Sequence, residues 1–217
     1  MRPVSARATA RGQRYGADCE TLLTAPKPPP KTAPKTPPPT LGDPPRLATK
    51  RLALRRPQSR DADALIALAG QWQVARNLSP VPHPYTAEHA AFFLGHLVPK
   101  EWIWALTLRG DDRLVGVAGL TPDTEGRSGE LGYWLDPDLW GRGLMTEAGA
   151  AVTRFAFDVL GWHRIRSGVF ADNPGSQAVL RKLGFVITGK SMRPCLARGE
   201  KVAAYELELK PKSAPLE

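Results

Sequence analysis

Cysteine is nearly absent from this 217-residue chain: only Cys19 and Cys195 occur. Two thiols cannot form a disulfide framework, and their scarcity fits a reducing compartment, so a cytoplasmic protein is expected. The four histidines, His83, His89, His96 and His163, lack metal-ligand spacing with cysteines or with one another, and no metal site is expected. No apolar run approaches the ~18 residues that cross a bilayer, so the chain reads as soluble, without a membrane partner. Methionine is missing between Met1 and Met145, which leaves Val4, Leu22 and Leu41 as alternative starts beside Met1.

The formal charge of +9 is unevenly spread. Residues 1–50 carry 9 Lys/Arg against 3 Asp/Glu, leaving 21 against 18 in the remainder, so the rest of the chain is only mildly basic. The same 50 residues hold 11 of the 22 prolines, including Pro28-Pro29-Pro30 and Pro37-Pro38-Pro39. Such a composition cannot bury enough apolar surface to fold, and residues 1–47 are expected to form a disordered, basic, proline-rich tail. A solvated linker is the first reading of this tail; weak contact with RNA or a ribosome is the second. Before Asp18 it carries Arg2, Arg7, Arg11 and Arg14 and no acid, a pattern shared with organelle transit peptides.

Beyond the tail, 42% apolar residues suffice for one domain core, expected over residues 48–211 and followed by a short tail, 212–217. Strand-like and helix-like segments alternate, which predicts a mixed α/β (α+β) sheet flanked by helices. Strands are predicted over residues 51–55, 102–108, 114–120, 130–135, 164–170, 185–188 and 202–209. Helices are predicted over 61–69, with Leu65, Ile66 and Leu68 inward, over 86–97 with Thr86 as N-cap, and over 144–160. In the last of these, Leu144, Ala148, Ala151, Val152, Phe155 and Val159 form one apolar stripe.

The most informative stretch is residues 135–147, where a strand feeds a turn with two glycines and then a helix. The first helical turn leaves backbone N–H groups without partners, and aligned peptide dipoles place about half a positive charge there. Gly141 and Gly143 let the backbone approach closely, and the N–H groups of Arg142, Leu144 and Met145 complete a concave ring suited to a phosphate or diphosphate. The spacing matches neither the nucleoside triphosphatase phosphate loop nor the three-glycine dinucleotide fingerprint. Thirty residues on, Asn173 as N-cap, Pro174 at the first helical position and Gly184 at the C-terminus delimit a compact helix.

Together these segments resemble the GNAT superfamily of acetyl-CoA-dependent N-acetyltransferases, and within it the Rim-type ribosomal-protein N-terminal acetyltransferases. The resemblance runs from about Arg51 to Leu209 and rests on three blocks in order. Thr49, Arg51, Leu52, Leu54 and Arg55 match an opening Thr-x-Arg-Leu-x-Leu-Arg pattern. Gly132-Tyr133-Trp134 leads into a Trp-Gly-x-Gly-x-x-Thr-Glu-Ala stretch from Trp140 to Ala148, and Asn173, Ser176 and Lys182 to Phe185 match the third block.

The resemblance implies a splayed, mostly antiparallel sheet of about six to seven strands. Acetyl-CoA is the implied acetyl donor, with pantetheine entering between the strands at Glu130 and Arg164. It implies that Leu135, Trp140, Gly141, Arg142, Gly143, Leu144, Met145, Thr146, Asn173 and Ser176 hold acetyl-CoA, with the Leu135 region supplying the N–H that polarises the thioester carbonyl. Many members place a tyrosine acid seven residues after the motif asparagine; here that residue is Leu180, and Ser176 is the alternative proton donor. A hydroxyl satisfying backbone donors is the competing reading of Ser176. Glu130 is implied as general base, against the plainer reading of a solvated strand carboxylate, and Glu147 is explained by the helix dipole alone. Relatives often carry an aspartate at the position of Ala203, so acceptor recognition is expected to differ.

The implied reaction is direct transfer of acetyl to a primary amine, with a protein N-terminus as first choice of acceptor. Two alternatives stand beside it: a small-molecule amine such as an aminoglycoside, polyamine or amino acid derivative, and a non-catalytic acyl-CoA-binding module docked through its tail. The tryptophans Trp72, Trp102, Trp104, Trp134, Trp140 and Trp162 are expected mainly in packing, with one or two walling the acceptor pocket.

Overall fold

The structure, a computed structural model, describes residues 41–211. Residues 1–40 of the expected tail, and the expected C-terminal tail 212–217, lie outside the described residues. Residues 41–47 pack against the domain: Gly42, at φ 81°, lies so close to the backbone of Pro99 that a Cβ would sit 2.2 Å from its carbonyl oxygen. Trp104 Nε1 donates to Pro45 O at 2.8 Å.

The described residues form one eight-stranded sheet in the order β1-β2-β3-β4-β5-β6-β8-β7. β1 (Leu47–Ala48) and β2 (Leu52–Arg55) pair antiparallel and lead onto β3 (Trp102–Leu108), which forms a hairpin with β4 (Leu114–Pro122) through a turn with Gly110 at φ 86°. β5 (Ser128–Leu135) continues the antiparallel half, and β6 (Arg164–Phe170), β8 (Glu200–Leu209) and β7 (Val186–Cys195) form the other.

Among the described residues, the backbone ladder between the two halves is limited to parallel pairing of Ser128–Glu130 with Arg164–Arg166. Beyond Glu130 the strands part, as the resemblance implied.

Side-chain alternation divides the core between the sheet faces. On one face, Leu52, Leu54, Trp104, Leu120, Leu131 and Leu135 pack with α4 (Leu144–Asp158) and α5 (Pro174–Leu183). On the other, Ile103, Ala105 and Val117 meet α1 (Ala62–Ala69) and α3 (Ala87–Phe92), with Trp134 against them. A short α2 (Trp72–Ala75) follows α1.

Several expectations need correction. α4 ends at Asp158, so Val159 becomes its C-cap and is 50% exposed rather than part of the apolar stripe. In α1, Leu65 and Ala69 carry the deep burial while Ile66 and Leu68 are half-buried. β7 reaches Cys195, far beyond residue 188, because its polar second half is held by the β8 ladder on an edge strand. β1 was not expected and raises the strand count to eight.

Arg55 shows what fastens β2 to α1. Its guanidinium forks onto Asp61, with both bonds at 2.8 Å, and Nε donates to Asp112 at 2.7 Å. Arg55 and Asp61 side chains are only 5% and 4% exposed, and donation to Asp61 holds the guanidinium pKa above its ordinary value. Removing Asp61 takes both buried carboxylate acceptors from the guanidinium and leaves the half-exposed Asp112 as its counter-ion. Asp61→Ala is therefore expected to cost about 3–5 kcal/mol, read as a lowered urea midpoint; a loss below about 1 kcal/mol would place this pair among surface bridges.

Candidate active site

The parting of β5 from β6 exposes a strand edge. Ser167 Oγ donates to Leu131 O at 2.9 Å and Trp140 Nε1 donates to Leu135 O at 2.8 Å, so both carbonyls point toward the β6 side. Strand alternation puts the N–H groups of Tyr133 and Leu135 on the same edge. A cleft of about 610 Å3 runs through this wedge, lined by β5 from Glu130 to Leu135, by the glycine turn and by the start of α5.

The turn has the local geometry its sequence predicts. Gly141 and Gly143 adopt φ 75° and 73°, a region that favours glycine. The first α4 amide bonded to the turn is that of Glu147, to Gly143 O at 3.1 Å, so the N–H groups of Leu144, Met145 and Thr146 precede the intrahelical ladder. The Leu144 and Met145 side chains are buried in the core, which leaves their backbone to the cleft. A Cβ on Gly141 would meet nothing within 4 Å and one on Gly143 only Arg51 Nη2 at 3.7 Å. The turn thus faces open space lined with donors, which suits the diphosphate of an acyl-CoA. The Arg142 side chain folds back onto Asp138 O at 2.9 Å, so the contact expected of this residue rests on its backbone N–H alone.

Glu147 braces this turn from outside the cleft. Its carboxylate accepts from Thr49 Oγ1 at 2.6 Å, from the Arg51 amide at 2.7 Å and from Arg51 Nε at 2.7 Å, while Arg51 Nη1 donates to Arg142 O at 2.8 Å. Burial raises the Glu147 carboxyl, but the bonds from Thr49 and Arg51 outweigh it and hold the group below the usual carboxylate range. Two blocks of the sequence pattern, 98 residues apart, are therefore one structural unit.

At the opposite wall, Asn173 Oδ1 accepts the Ser176 amide at 3.1 Å, so the helix cap is supplied by Asn173 and not by the serine hydroxyl. Ser176 Oγ instead lies 2.8 Å from the Tyr133 hydroxyl, which also donates to Ser176 O at 3.2 Å. Burial pushes the Tyr133 phenol up to about 12, opposed by the bond with Ser176, and keeps it neutral at physiological pH. Leu180, at the position that the resemblance pairs with a tyrosine in many members, is fully buried in the core. Tyr133 was missed as a polar contributor because strand alternation gives its facing relative to neighbours but not what it faces.

Glu130 lies on the sheet face opposite Tyr133, and its Oε1 accepts from Arg193 Nη1 at 2.7 Å. Arg193 was also missed, since β7 was expected to end five residues before it. Trp134 and Trp140 line the cleft, whereas Trp102, Trp104 and Trp162 are core residues.

Loss of the Glu147 brace is expected to loosen the glycine turn: Glu147→Ala raises the CoA Kd about tenfold, or about 1.4 kcal/mol. Because its pKa is depressed by the fold, the carboxylate's stabilising contribution is present above the usual carboxylate range and is lost as pH falls through the lowered value. Calorimetric titration of CoA checks this, and an unchanged Kd refutes it.

Residues 51–186 match the model of the Acetyltransferase (GNAT) domain, well over half of the chain. A relative from Bacillus subtilis (strain 168), "Uncharacterized N-acetyltransferase YoaA", is 30% identical over 148 residues, covering 65% of this chain and 82% of that protein. "Probable N-acetyltransferase YjcK" of the same organism is 40% identical over 88 residues, covering 40% of this chain; the chain spans about half of that relative's length, 49%. Among solved structures, Mycobacterium smegmatis RimJ in complex with CoA-disulfide superposes with a TM-score of 0.69 at 22% identity, covering 82% of this chain and 93% of that one, a likeness of fold. The glycine turn, the parted strands and these matches agree: the chain belongs to the GNAT family of acetyl-CoA-dependent N-acetyltransferases.

Proposed function

We propose that this acetyltransferase moves the acetyl group of acetyl-CoA to the α-amine of a protein N-terminus, by direct attack while both substrates are bound. The observation that carries this reading is the cleft itself, which passes from the glycine turn through the wedge to Glu130 on the opposite sheet face. In this reading the N–H groups at Leu144 to Thr146 and around the two glycines hold the diphosphate, with Trp140, Asn173 and Ser176 along the path. The Leu135 N–H polarises the carbonyl. Glu130 takes the proton of the attacking amine, directly or through water, and Ser176, oriented by Tyr133, delivers a proton to the leaving thiolate.

The charge pattern favours a peptide over a polyamine. At the acceptor mouth Glu130 pairs with Arg193 at 2.7 Å, Glu206 with Arg193 at 2.5 Å, and Asp172 with Arg198 at 2.7 Å and Arg76 at 3.4 Å. A polycation requires uncompensated carboxylates, and each acid here already has an arginine. An α-amine asks for little: with a pKa near 8, about a tenth is neutral at pH 7, whereas a lysine amine near 10.4 has about 250-fold less of its neutral form.

Incubation with acetyl-CoA is expected to add 42 daltons, one acetyl group, to peptides with free N-termini and not to N-blocked lysine peptides or spermidine. The rate at subsaturating peptide should rise from pH 6 to 8 as the amine loses its proton. Adducts on small amines alone would replace the acceptor in this reading, and CoA binding without acceptor-dependent thiol release would replace catalysis by a binding module. Glu130→Gln should lower turnover while leaving acetyl-CoA affinity in place; an unchanged rate at saturating acceptor removes Glu130 from the reaction.

A further inference from the structure

A chain of charges crosses the acceptor side of the sheet from its edge to the wedge. Arg193 sits on β7 opposite Val202, while Glu206 of β8 lies opposite Gly168 of β6. The Arg193 side chain passes over β8 and rests on β6 at Gly168, where a Cβ would come within 2.1 Å of the guanidinium carbon. A side chain at position 168 would displace the guanidinium from this place. Glu206 grips the guanidinium as a fork, from Nε at 2.8 Å and from Nη2 at 2.5 Å, and Ser191 Oγ donates to the same carboxylate. The remaining nitrogen, Nη1, donates to Glu130 Oε1 at 2.7 Å. Glu130 is the last β5 residue in register with β6, so the chain ends where the strands part.

Stability alone does not account for this arrangement. The side chains of Arg193, Glu130 and Glu206 are 26%, 43% and 32% exposed, and pairs at such exposure add little. Yet a glycine, which weakens a strand, stands mid-β6 to admit the guanidinium. The fork fixes the plane of Arg193, as bidentate carboxylate pairs do, and a fixed Nη1 in turn restricts a half-exposed Glu130 that would otherwise sample several rotamers. Arg193 takes one oxygen of Glu130; among the described residues, no hydrogen-bond donor is found on the other.

We propose that Arg193 is a positioning residue for acetyl transfer: braced by Glu206 and admitted by Gly168, it fixes one oxygen of Glu130 so that the other meets the incoming amine. This rests on the proposed role of Glu130. The two are separated by a double-mutant cycle on the full chain, with thiol release measured at saturating acetyl-CoA and peptide, and CoA affinity measured by calorimetry.

Arg193→Met is expected to lower kcat about tenfold, the scale of a misplaced reacting group, with the CoA Kd unchanged. In the Glu130→Gln background the same substitution should cost nothing further, because its effect is routed through Glu130. Glu206→Gln, which leaves Arg193 and Glu130 in place, should act in the same direction, and it carries the cycle if Arg193→Met does not fold. Full turnover in both Arg193→Met and Glu206→Gln, or losses that multiply in the double variants, overturns the positioning role while a slow Glu130→Gln leaves the reaction scheme intact. Full turnover in Glu130→Gln overturns the scheme itself.

Discussion

The early end of the β5–β6 pairing governs the rest of this molecule. Among the described residues only three registered pairs join the two halves of the sheet, and beyond Glu130 the alternate β5 residues Leu131, Tyr133 and Leu135 turn their backbone groups to an edge without a β6 ladder. An unpaired edge inside a fold is costly unless its polar groups find partners. Here the accounting is asymmetric: Ser167 satisfies the carbonyl of Leu131 and Trp140 that of Leu135, while the N–H groups on the same edge are left for what enters the wedge. Side chains that quench acceptors and spare donors leave the gap lined with N–H groups, the setting that the proposed polarisation of a carbonyl requires.

The same division of labour appears at the glycine turn. Its donors face the cleft, and its carbonyl at Arg142 is tied back by Arg51, which is itself held by Glu147. Leu144 and Met145 sink their side chains into the core, so the backbone that would hold a diphosphate is fastened on one side by apolar packing and on the other by an ion pair. Side chains from the start of the domain and from the start of α4 thus cooperate to hold a surface whose backbone conformation the glycines make possible.

Local grammar was legible in the sequence wherever a residue type has one strong reason to be where it is. The two glycines at positive φ, Asn173 as N-cap, Gly184 as the left-handed residue after α5, and the β3–β4 hairpin all follow from steric and hydrogen-bonding rules that act over a few residues. What did not follow were contacts set by the topology. The polar second half of β7 has no strand-like pattern of its own; it is a strand because β8 pairs with it, and so Arg193 fell outside the expected sheet. Val159 fits the helical period but lies just past the end of α4, where a carbonyl ladder and not a hydrophobic stripe decides the boundary. The meeting of Tyr133 and Ser176 joins two elements 43 residues apart, and no spacing rule reaches that far.

In the proposed reaction, donor and acceptor approach from opposite faces of one sheet, and the wedge is the passage between them. That geometry lets the two proton transfers be handled by groups that do not touch. Tyr133 and Ser176 lie on the α5 side, where burial keeps the phenol protonated and its hydroxyl holds Ser176 Oγ at 2.8 Å. Glu130 lies on the other face, tethered to an arginine that can never give up its charge at physiological pH. An α-amine already supplies about a tenth in reactive form at pH 7, whereas a lysine amine offers only a trace, so the proposed reaction asks Glu130 for orientation more than for basicity. In this proposal the arginine bridge and the choice of acceptor meet in one constraint: a carboxylate held in one orientation is matched to an amine that needs orientation more than it needs a base.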